Sequence, residues 1–71
     1  MAESIRELDV VELAVESGRW PAGTCATVLE AFSDGALVEV ADDRGHTLEM
    51  LSLPWSALRP MRVADQRRLL V

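Results

Sequence analysis

Apolar and polar residues alternate along most of this chain with the period of a β-strand. Residues 8–15 read "LDVVELAV", in which Val11, Leu13 and Val15 fall on one face while Glu12 and Ala14 fall on the other. A rival reading starts a helix near Ser4 with Glu7 three residues on as a capping box; a short turn at 4–7 followed by a strand accommodates both. Ser17-Gly18 and Pro21-Ala22-Gly23 then mark a loop, because proline fixes φ and glycine supplies backbone angles closed to other residues. "TCATVLEAF" (24–32) predicts a second strand and "ALVEVA" (36–41) a third, with Val38 and Val40 opposite in face to Glu39. Between them "SDG" (33–35) is the strongest local hairpin signal in the chain. "DDRG" (42–45) predicts another turn, and "HTLEMLSL" (46–53) a fourth strand. Its apolar phase slips from Leu48 and Met50 to Leu51 and Leu53, which predicts a bulge or bend near Met50, or burial of both faces. "PWSAL" from Pro54 suits one 3-10 turn, and a fifth short strand is expected near 59–63.

Short strands joined by tight turns make a meander. With no helices to cover an open sheet, the sheet must curl to bury one face and hide its edges. The expected fold is therefore all-β: a small SH3-like barrel of about five strands, with a short 3-10 turn and a C-terminal tail. The expected organisation is one domain over 1–71, with a core at 8–63 and a tail at 64–71. Val11, Leu13, Val28, Val38, Val40, Leu48 and Leu53 are the expected core.

Length limits how much such a core can bury: a chain of 71 residues hides only about 60% of its unfolded surface. With a single cysteine it has no internal disulfide to add. Yet 49% of its residues are hydrophobic, enough for some to be buried against a second copy or a partner. The first residues show no signal-peptide pattern, and no apolar run approaches the roughly 18 residues of a membrane span, so a cytoplasmic, non-membrane protein is expected.

Charge is unevenly spread. The net charge is -5, and all seven basic residues are arginine. Residues 51–71 carry Arg59, Arg62, Arg67 and Arg68 against Asp65 alone, while the first fifty carry three arginines against eleven acids. An acidic body argues against a general nucleic-acid binder, which needs a basic face for phosphates. The basic end would suit its own body, another copy or an acidic partner, or else lie as a solvated terminus.

Little in the chain assembles into a catalytic site. Cys25 stands in an alternating strand with no Lys or His nearby in sequence, and reads as a small buried hydrophobe that resists thiol reagents until unfolding. His46 is the single histidine and has no second ligand at metal spacing. Asp42 and Asp43 lie in a turn, where aspartate bonds its own backbone. No phosphate loop is present, since "GTCATV" lacks the Lys-Ser/Thr that would follow. No catalytic, cofactor or metal site is expected. Trp20 and Trp55 are the more informative pair. Either they border one ligand groove between loops, or each plugs an end of a thin-cored barrel.

Asp9-Val10-Val11-Glu12-Leu13, Gly23-Thr24-Cys25-Ala26-Thr27-Val28-Leu29, Val38-Glu39-Val40, the acidic turn ending at Gly45, Leu53 and Leu58-Arg59 together form a pattern. Over about residues 8–60 it resembles a family of small bacterial proteins, the domain of unknown function 4926 family. The sequence departs from that pattern at Ala26, where glycine is usual, and at Val40, where an aromatic is common. The resemblance implies a compact SH3-like barrel and brings no established catalytic residues.

The expected function is thus a non-enzymatic protein–protein interaction module, an accessory or toxin-neutralising protein whose acidic body suits a basic partner. The expected partner-binding residues are Trp20, Trp55, Arg59, Arg62, Arg67 and Arg68. Self-association is also expected: a homodimer in which Leu69, Leu70 and Val71 pack on the neighbouring copy. The alternative is a nucleic-acid or ribosome-associated barrel that uses the arginine-rich C-terminal segment.

Overall fold

A computed structural model describes residues 5–61. The chain runs through β1 (Val10–Leu13), β2 (Cys25–Ala31), β3 (Gly35–Ala41) and β4 (Thr47–Pro54), then a 3-10 turn (Trp55–Ala57), then β5 (Leu58–Pro60). The five strands form one antiparallel sheet in the order β4-β3-β2-β1-β5. The first four strands meander, and β5 returns to pair with β1. Ala14 N–H, just past β1, donates to Ala57 C=O at 2.7 Å and ties the 3-10 turn to the sheet. An all-β meander whose last strand returns to the first through a 3-10 turn is the SH3-like barrel that the pattern predicts.

One face of the curled sheet holds the core. Val11 and Leu13 of β1, Ala26 and Val28 of β2, Ala36, Val38 and Val40 of β3, and Leu58 of β5 are buried, with Ile5 closing over them. The register explains the match across strands: Val11 lies opposite Ala26, Val28 opposite Val38, and Leu13 opposite Leu58. β4 contributes Leu51 and Leu53, both partly buried, opposite Val38 and Ala36. Of the expected core, Val11, Leu13, Val28, Val38 and Val40 are buried and Leu53 is half-buried.

Leu48 is a correction: it is 46% exposed. Leu51 and Leu53 take the core side, so alternation turns Met50 and Leu48 outward, and a register shift between Val40 and Ala41, which pair with Glu49 and Thr47, leaves Leu48 without an opposite residue. The bulge or two-sided burial expected near Met50 is also corrected: the register runs unbroken from Pro54 to Glu49, the irregularity falls at Leu48, and Met50 is exposed. β1 also stops short of Val15, which is exposed. The chain leaves the sheet at Ala14 and turns tightly, with Ser17 and Trp20 exchanging backbone hydrogen bonds of 2.8 and 2.9 Å across Gly18 and Arg19.

Cys25 is the second correction: it is exposed, not buried. It faces Glu12 at the start of β2, and the inward place beside it belongs to Ala26.

The turns follow from their residues. The Asp42 carboxylate accepts from the backbone N–H groups of Arg44 (2.9 Å) and His46 (2.8 Å), as aspartate in a turn does. Gly35 is required for a different reason. β4 passes so close that a methyl group at Gly35 would run into the Leu53 carbonyl oxygen.

Candidate interaction surface

Trp20 sits at the end of the tight turn that follows β1, half-buried against the core. Its indole N–H donates to the Glu49 carboxylate on β4 at 2.7 Å. The Arg19 guanidinium lies 4.6 Å from the centre of the Trp20 ring and 3.8 Å from the same carboxylate. Arginine, indole and carboxylate thus form one cluster that pins the loop to the inner face of β4. All of it is partly wet, so each contact is individually weak.

Trp55 opens the 3-10 turn and is also packed against the core. Its indole N–H donates to the Ser33 carbonyl at 3.2 Å, and its backbone N–H to the Asp34 carbonyl at 3.3 Å. It therefore locks the β2–β3 hairpin onto the end of β4. The two indoles hold opposite ends of that strand: Pro54 lies five positions beyond Glu49, about 17 Å of extended chain. Each ring closes its own end, and they share no hydrogen-bond partner.

Arg59 lies on the outer face of β5. Its Nε donates to Glu12 at 3.0 Å, beside exposed Cys25. Among the described residues nothing hydrogen-bonds the Cys25 sulfur. Arg62, Arg67 and Arg68, and the apolar Leu69, Leu70 and Val71, lie outside the described residues, as does Ser4 of the expected capping box. So Trp20, Trp55 and Arg59 occupy three separate places.

Other features of the surface were not anticipated. A shallow cleft of about 240 Å³ opens at the hairpin end of β4, lined by Phe32, Asp34, Gly35, Ala36, Ser52, Leu53 and Pro54. On the outer face, cross-strand pairing sets Met50 opposite Glu39 and Ser52 opposite Leu37. Met50 is 58% exposed, and Phe32 beside the cleft 42%. The Thr47 hydroxyl donates to the Glu39 carboxylate. Apolar side chains and acids are thereby interleaved over β3 and β4. The signal for this surface was the phase slip in "HTLEMLSL", which takes Leu48 and Met50 off the core face.

Among the described residues no group of three or more His, Cys, Asp or Glu is placed to hold a metal ion, and no helix is long and apolar enough to cross a membrane. Comparison with protein-family models, curated proteins and solved structures finds no match.

Proposed function

We propose that this chain is a non-enzymatic protein-interaction module whose acidic surface receives a basic protein partner. One observation carries this reading: exposed Leu48, Met50 and Phe32 lie among acids on the β3–β4 side of the barrel. Apolar side chains grouped with one sign of charge are the chemistry of a docking surface, with the acids steering and orienting what the apolar groups hold. Residues 5–61 carry ten carboxylates against four arginines, which favours a cationic partner over phosphates. The resemblance to the domain of unknown function 4926 family belongs to the same reading and supplies no catalytic set. A cytoplasmic setting goes with it, where a lone exposed thiol stays reduced.

The test is affinity capture by the immobilised full chain from its native host, at salt of ~50 and ~300 mM. The expected capture is a protein of high isoelectric point, diminished at the higher salt. Gel-shift assays with single-stranded and duplex nucleic acid at the lower salt should show no complex. A shift there, with no protein captured, would overturn the proposal in favour of a nucleic-acid barrel.

A further inference from the structure

Among the described residues, the two edges of the sheet are built differently. β5 is three residues long, carries Arg59 and ends on Pro60, which has no N–H to give. Short, charged and proline-bearing edges resist strand pairing. β4 is eight residues long, and among the described residues its one strand neighbour is β3. Trp55 N–H bonds Asp34 C=O at one end of the β3–β4 pair, and Asp42 N–H bonds His46 C=O at the other. The alternation of an antiparallel ladder then turns the backbone groups of Glu49, Leu51 and Leu53 towards β3, and those of Met50 and Ser52 away from it. The protective devices on β4 lie at its ends: the register shift near Leu48 and the proline at Pro54. Its middle has one charge, Glu49, already engaged with Trp20 and Arg19.

The surroundings of this edge are acidic. Asp34 lines the cleft at one end, Asp42 and Asp43 occupy the turn at the other, and Glu39 and Glu49 lie between. Against these five stand Arg19 and Arg44, with His46 held 3.4 Å from Asp42.

The geometry points to the open edge of β4 as a strand-addition site for an extended partner segment that mixes arginine or lysine with apolar residues. The segment's main chain pairs with the outward N–H and C=O groups of Met50 and Ser52. Its apolar side chains cover Met50 and the Phe32–Pro54 cleft, and its cations meet Glu39, Asp34 and Asp43. Backbone pairing supplies affinity, and the alternate side chains supply selection. A second copy of this chain is a poorer occupant, because its β4 would lay one acidic rim along another. This inference rests on the reading of the protein as an acidic interaction module and specifies where and how that module binds.

The test titrates isotope-labelled full-length protein with a soluble peptide of about ten residues alternating arginine and valine, followed by amide resonances. Two further peptides carry N-methyl groups on the odd or on the even residues. The expected result is shifts concentrated on residues 48–53, and an affinity weakened about tenfold or more by one N-methyl pattern and little by the other. Equal tolerance of both patterns, or shifts centred away from β4, would overturn strand addition while leaving the acidic module standing. No binding of the arginine peptide, with none by a glutamate counterpart, would remove both. A doubling of mass by light scattering without peptide, with the same β4 amides moving on dilution, would show the occupant to be a second copy and refute the basic partner.

Discussion

Leu8 takes a backbone conformation that suits few side chains, with φ at 72°. It is the third residue of a turn in which Asp9 N–H bonds Arg6 C=O at 3.1 Å, a place that favours Gly or Asn. The side chain is 78% exposed and offers little burial in return. Leu8→Asn is therefore expected to raise unfolding free energy by about 0.5–1 kcal/mol, read from urea denaturation. Gly35 is the opposite case. Gly35→Ala forces the new methyl against the main chain of β4, and a loss of about 2 kcal/mol or more is expected in the same assay. Cys25 should react with dithionitrobenzoate in the folded protein, because its side chain is exposed. Labelling only on unfolding would mean that β2 starts in the other phase. That phase could not be read locally. Cys25 and Ala26 are both small and apolar, and their sides are decided by pairing with Glu12 and Val11.

Among the elements, β3 was the most legible. Ala36, Val38 and Val40 alternate with Leu37 and Glu39 without interruption, and the burial follows that alternation. β4 was legible as a strand but not in its facing. Its four apolar residues before Pro54 allow two phases, and the choice of Leu51 and Leu53 for the core is made only in the pairing with β3. The Trp20 cluster had no local signal at all, since Glu49 is 29 residues away. It can be tested as an element. Trp20→Phe keeps an aromatic ring but removes the N–H and part of the packing surface, so a loss of about 1–3 kcal/mol is expected, with faster amide exchange at Ser17 and position 20. By contrast Arg59→Ala opens an exposed pair with Glu12 and should change stability by less than about 1 kcal/mol. An effect of Arg59→Ala on partner binding well beyond that would bring β5 into the contact surface.

At the scale of the molecule, the excess of carboxylates over arginines in residues 5–61 sets up self-repulsion that folding must overcome. Added salt should relieve it. Raising sodium chloride from ~10 to ~300 mM is expected to lift the thermal midpoint by about 2–5 °C, whereas a flat or falling response would show that the paired charges dominate.

The unlike edges of the sheet bear on stoichiometry. Open-ended assembly of β-sheets needs an adhesive edge on each side of every subunit, so that one chain's right side meets the next chain's left. Among the described residues, one side ends in Pro60 after only three residues. Whatever joins β4 therefore ends the sheet at that side: a foreign strand gives a one-to-one complex, and a second copy gives a closed pair. With Pro60 in place, adding protein should shift the balance between free and joined molecules without lengthening the assembly. The proline that blunts the smallest strand thus leaves the larger one free to be adhesive without making the protein fibrous.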